Sequence, residues 1–179
     1  DTYTCDADAY ILYDAYFDQT VRGDVTYGRL YLRHTSTKTL EGDIDVDGRL
    51  ELDQEQVILD ANNQNINIAG TWHNQGEGTF LPGNGEVVFD GTEDQRIYLG
   101  TSGSNDFNTM KIDKDDPLAD VRVYYNDITV NEDLWARSGR FYCYNDYSVT
   151  ILGDMIAEND GMFMDAGTYI LANDNPGAT

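Results

Sequence analysis

The chain has 179 residues, 33 acidic against 11 basic, and a formal net charge of -22. That balance repels phosphate backbones and anionic bilayer surfaces, which argues against nucleic-acid binding and membrane association. No apolar run reaches the ~18 residues needed for a spanning helix, so no membrane insertion is expected.

A hydrophobic content of 40% with thirteen tyrosines supports one sizeable core. The acids are spread along the chain, which predicts a solvated acidic surface rather than a charged tail. The chain opens at Asp1 without Met and without a visible signal peptide, and we read it as a processed or trimmed product, which is compatible with an exported origin. Its two cysteines, Cys5 and Cys143, do not define a disulfide framework.

In chain order, short runs of alternating apolar residues follow one another, and no window has helical period. Leu30 and Leu32 lie in one such run, Ile44 and Val46 in the next, then Val57 with Leu59 and Ile66 with Ile68. The stretch from Gly70 to Leu99 predicts strands over Thr79–Leu81, Glu86–Phe89 and Arg96–Leu99, with turns at Gly76, Gly83-Asn84-Gly85 and Asp90-Gly91. Further on, alternation resumes at Met110 and Ile112, at Ile128 and Val130, at Phe141 and Cys143, at Val149 and Ile151, and at Tyr169 and Leu171.

These runs repeat at a near-constant step. Ile68, Phe89, Met110, Val130, Ile151 and Leu171 recur about every 21 residues, and so do Leu59, Phe80, Leu99, Val121, Phe141 and Phe163. A longer match of roughly 82 residues relates Asp43–Leu50 to Asp127–Leu134, Ile66/Ile68 to Val149/Ile151, and Val87/Phe89 to Tyr169/Leu171. A chain that returns an inward apolar residue at fixed intervals is coiling. We therefore expect an all-β fold, a parallel β-solenoid (right-handed β-helix) of about eight coils, with the long repeat equal to four coils. One solenoid domain over 1–179 is expected, built from long repeats at about 27–106 and 107–179 with a partial repeat at 1–26. A β-sandwich is the alternative, since its strands also recur every 8 to 12 residues, but it gives no reason for ladders of constant step.

The order Gly83 to Gly91, Asp94 to Ile97 and Phe107 to Lys114, with a fainter copy at Tyr27 to Arg33, resembles repeats in large bacterial cell-surface proteins of right-handed β-helix type. The resemblance implies an exported structural or adhesive role and carries over no active site.

Four groups are candidate sites. Asp43, Asp45 and Asp47 with Gly48 reproduce the first half of an EF-hand loop, a possible calcium site; Gln54 stands where a bidentate Glu belongs, and an exposed strand face explains the same alternation. Asp113-Lys114-Asp115-Asp116-Pro117 groups carboxylates as sugar-cleaving sites do, although its composition is that of a turn. His34 and His73 lack metal-ligand spacing with the cysteines. Tyr142, Tyr144 and Tyr147, with Tyr124 and Tyr125 one coil earlier, form a candidate aromatic face for sugar rings or a partner; sheet stabilisation is the plainer account.

No nucleophile elbow, P-loop or dinucleotide fingerprint occurs. The expectation is a non-enzymatic extracellular or cell-surface protein, a subunit of a filament, sheath or array that assembles head to tail through strand edges. The alternative is an adhesin or carbohydrate-binding module with a polysaccharide partner.

Overall fold

A computed structural model describes residues 3–6, 8–53, 56–74, 76–100, 106–144, 147–164 and 167–172. Every strand pairing in it is parallel, no helix occurs among the described residues, and the chain winds as a β-solenoid.

The strands fall into three-sided tiers. β1 (Tyr3–Thr4), β2 (Tyr10–Tyr13) and β3 (Gln19–Val21) form the first, and β4 (Val25–Leu32) with β5 (Thr37–Leu40) the second. β6 (Ile44–Leu52) and β7 (Ile58–Asp60) make the third; β8 (Ile66–Ile68), β9 (Thr71–Asn74) and β10 (Thr79–Leu81) the fourth. β11 (Glu86–Phe89), β12 (Gln95–Tyr98) and β13 (Asp106–Phe107) follow, then β14 (Thr109–Asp113), β15 (Asp120–Tyr124) and β16 (Ile128–Val130). β17 (Leu134–Cys143) with β18 (Ser148–Ile151), and β19 (Met155–Phe163) with β20 (Thr168–Leu171), close the stack. Long strands such as β4, β6, β17 and β19 run along the first face, bend at a register shift, and continue along the second. The chain thus crosses each face eight times in about seven turns. At the parallel-strand spacing the described tiers stack about 35 Å high.

Alternation explains the core. On the first face Tyr27, Val46, Ile68, Phe89, Ile112, Ala136 and Ala157 lie in one column. On the second, Leu30, Leu50, Trp72, Ile97, Val123 and Cys143 do the same. All but Ala157 are buried. Each inward side chain packs on its counterparts above and below, so every tier contributes to a single continuous core.

The corners give some of the acids a structural task. At several strand starts a side chain one tier away accepts from a backbone N–H. Asp43 Oδ1 accepts from Asn65 N at 2.7 Å, Asn65 Oδ1 from Glu86 N at 3.0 Å, Asp127 Oδ1 from Ser148 N at 2.7 Å, and Asp133 Oδ1 from Asp154 N at 2.8 Å. At the corner between the first two faces the backbones approach so closely that a Cβ on Gly70 would lie 1.6 Å from Gly48 O. Glycine is the residue that fits there.

The third face is divided. β3, β5, β7 and β10 form one four-stranded sheet, and β13, β16, β18 and β20 another. Between them the rings of Phe80 and Phe107 pack at 5.7 Å, with no strand pairing among the described residues.

Two expectations are corrected by this register. The first-face column steps by 19, 22, 21, 23, 24 and 21 residues and the second-face column by 20, 22, 25, 26 and 20. A constant step of 21 therefore slips from face to face. Ile68 and Phe89 share the first face, whereas Val130, Ile151 and Leu171 share the third. The ~82-residue match does likewise. Ile66–Ile68 lies on the first face and its match Val149–Ile151 on the third, so the interval is three and two-thirds turns rather than four.

Candidate functional site

The second face carries an outer surface unlike the rest of the molecule. The residues flanking its inward column point outward in two parallel columns. One runs through Arg29, Arg49 and Thr71, then Arg96, Arg122 and Tyr142. The other holds Tyr31, Glu51, His73, Tyr98 and Tyr124, and Tyr144 extends it with a ring centroid 5.1 Å from that of Tyr124. Arg33 and Arg140 stand at its margins, so six of the eight arginines lie here.

Strand pairing sets the geometry. Rings one tier apart cannot avoid one another: Tyr98 and Tyr124 lie 5.4 Å apart, and Tyr125 stacks on Tyr98 at 5.6 Å. Tyr125 does this from a left-handed backbone with φ of 79° at the corner after β15, and it stays 57% exposed. Arg122 lies 5.8 Å from the centre of the Tyr142 ring, a cation–π contact. At the other end of this face, Tyr10, Leu12, Arg29, Tyr31 and Arg33 surround an open depression of about 360 Å³.

Most of these guanidiniums face carboxylates. Arg33 Nε lies 2.9 Å from Asp53, Arg49 Nε 2.9 Å from Glu51, Arg140 Nε 2.6 Å from Asp120, and Arg122 bonds Asp120 with Asp94 at 3.3 Å. Arg96 differs. Its polar partner is the Tyr98 hydroxyl at 3.2 Å, and among the described residues no carboxylate pairs with it.

His73 is buried in the outer column, and burial followed by the charge of Arg49 pushes it down to about 4. Its Nδ1 lies 3.6 Å from Glu51 Oε2. With the imidazole neutral near pH 7, that approach is packing rather than an ion pair. Burial raises Glu51 as well, against the opposing pull of Arg49.

The other predicted residues are placed as follows. Asp45 and Asp47 lie on β6 and Asp43 immediately precedes it. Their side chains form an extended row at the two-residue strand repeat of about 7 Å, which does not wrap an ion. Asp43 is occupied as the Asn65 cap. Burial raises Asp45, with the Asp47 charge adding to it. Among the described residues no three His, Cys, Asp or Glu form a group that could hold a metal ion; Gln54 lies outside the described residues.

The Asp113–Pro117 corner is split by function. Asp113 pairs with Lys111 and Arg137, each at 3.2 Å, and Asp116 Oδ1 accepts from Leu118 N at 2.9 Å. Lys114 turns inward and is buried. Its amine donates to Gln95 Oε1 at 2.5 Å and to the main-chain oxygen of Asp90, while Gln95 Nε2 donates to Ile68 O and Gly70 O. Burial lowers the Lys114 amine to about 8. This chain of bonds ties the fourth, fifth and sixth tiers together.

Of the tyrosines, Tyr124, Tyr125, Tyr142 and Tyr144 share the second face, but Tyr147 immediately precedes β18 on the third and packs against the core. Tyr31, Tyr98 and the arginine column were missed by the fixed-step reading. The triplets Arg29-Leu30-Tyr31, Arg49-Leu50-Glu51, Arg96-Ile97-Tyr98 and Arg122-Val123-Tyr124 are the signal for them. His34, also left-handed at φ 66°, stacks on Tyr16 and contacts Asp14 at 2.5 Å. Cys5 in the first tier and Cys143 in the seventh are free thiols; burial pushes Cys143 up to about 11.

No family model, curated protein or solved structure matches the chain.

Proposed function

We propose that this chain is a non-enzymatic structural protein of an extracellular or cell-surface assembly, a rigid β-rod that stacks head to tail on further copies of itself. One observation carries the reading. Among the described residues the stack is open at both ends: β3 and β20 are edge strands of the two third-face sheets, and β19 pairs only with β17. Unpaired edges of this kind favour strand addition.

Apolar side chains sit at both ends. Tyr16 and Phe17 are 77% and 70% exposed at the first tier, and Leu171 is 61% exposed at the last. Because the two ends are different surfaces, the contact between copies is heterologous and propagates rather than closing. At the Asp113–Asp116 corner Asp113 is engaged in ion pairs and Asp116 in a turn, which favours the structural reading over sugar cleavage. Resemblance to bacterial surface repeats agrees with the extracellular placement.

Light scattering and negative-stain microscopy on the purified chain test this. Rods lengthening with protein concentration are expected; monomers at every concentration and salt would reject assembly.

A further inference from the structure

We propose that the second face is a binding surface for an acidic polysaccharide, a chain of uronate-type sugars laid across the tiers with a carboxylate over Arg96. This goes beyond end-to-end stacking and uses the side of the rod, not its ends.

Three observations converge on it. The first is charge placement. In a chain of net charge -22, six of eight arginines lie on one of three faces. Arg96 and Arg122 are direct cross-strand neighbours, and like charges in that position repel. Arg122 is held by Asp120 and Asp94, whereas among the described residues Arg96 bonds the Tyr98 hydroxyl and pairs with no carboxylate, and it stands exposed. An arriving carboxylate takes a bidentate contact with the Arg96 guanidinium.

The second is the aromatic row beside it. Tyr98, Tyr124 and Tyr144 succeed one another at 5.4 and 5.1 Å, a spacing close to the advance of one pyranose unit in an extended chain. Tyr125 and Tyr144 are 57% and 44% exposed, so apolar ring surface and hydroxyl groups stand beside the cations. A sugar polymer with one repeat per tier matches a surface that also repeats once per tier.

The third is the low cost of freeing Arg29. The Arg29–Asp8 pair at 2.9 Å involves a carboxylate with 96% of its side chain exposed, and such pairs contribute only about 0–1 kcal/mol. A polymer carboxylate can therefore replace Asp8 at little cost. At ~0.15 M salt charges beyond about 8 Å are screened, so the contact at Arg96, which no carboxylate pairs among the described residues, is governed by its immediate neighbours.

Affinity electrophoresis of the full chain in native gels containing polygalacturonate, with neutral dextran as the comparison, tests the proposal at ~0.15 M salt. Retardation by polygalacturonate alone is expected. Arg96→Ala should weaken it about tenfold or more, as loss of a charge-assisted contact implies, Arg96→Lys should restore part of it, and Thr39→Ala on the third face should leave it unchanged. Arg96 is exposed, so its removal leaves the core intact. No retardation, equal retardation by dextran, or indifference to Arg96→Ala would each overturn the proposal; the failure of end-to-end assembly would not.

Discussion

Lys38 shows how an inward polar side chain survives in an apolar column. It lies between Gln19 and Leu59 on the third face, fully buried. Its amine donates to Ala15 O and Gln19 Oε1, each at 2.8 Å. Both acceptors have a second donor, Ser36 Oγ at 3.0 Å and Ala15 N at 3.2 Å. Lys38→Met should therefore cost less than about 1 kcal/mol, since no acceptor is stranded and a buried charge is removed. Trp72→Ala, by contrast, should cost about 3–5 kcal/mol, because its ring fills the core against Phe80 and Phe107. Urea unfolding of the two variants checks the contrast. His73 adds a pH dependence. Its folded value of about 4 lies below the ordinary 6.5, so between those values the unfolded chain binds the extra proton. Its contribution to stability is complete above pH 6.5 and is lost as pH falls towards 4. In His73→Phe the fall of the urea midpoint over that window should be shallower by nearly one proton; an unchanged slope would contradict a buried neutral imidazole.

At the scale of strands and corners, the sequence was legible where the backbone pattern is local. Thr79–Leu81 and Glu86–Phe89 are strands with the predicted bounds, and Arg96–Leu99 is displaced by one residue to Gln95–Tyr98. Inward positions followed from alternation alone. What fixed spacing did not reveal was which face each strand joins, because corner lengths vary and the second-face steps stretch to 25 and 26 between Trp72, Ile97 and Val123. For that reason fixed spacing shows the aromatic column only in part and the arginine column not at all, and it groups Tyr147 with residues on another face. The three aspartates of β6 were likewise ambiguous, since a row of acids at two-residue spacing resembles the start of a calcium loop until the backbone is known to be extended. As a corner cap, Asp43 should contribute about 1 kcal/mol through Asn65 N. Asp43→Ala should lower the thermal midpoint, with the same shift in chelator and in excess calcium. A calcium-dependent rise in the midpoint of the parent chain would restore the metal reading.

For the whole molecule, the decisive feature is that each tier is both a part of the core and a template for the next. The terminal strands of a solenoid are capped or paired, and the proposed function pairs them with a further copy of the chain. In the head-to-tail reading, β20 of one copy lies beside β3 of the next, which brings Ile170 next to Thr20, both outward-facing at the sheet edges. The most direct measurement mixes two variants in a glutathione redox buffer, each with Cys5→Ser, one also carrying Thr20→Cys and the other Ile170→Cys. Non-reducing gels distinguished by a mass tag should show the mixed disulfide dimer in excess over either like-with-like dimer, and a chain bearing both substitutions should give a ladder of longer polymers. Like-with-like dimers alone, or no cross-linking at concentrations where rods would form, would contradict the account.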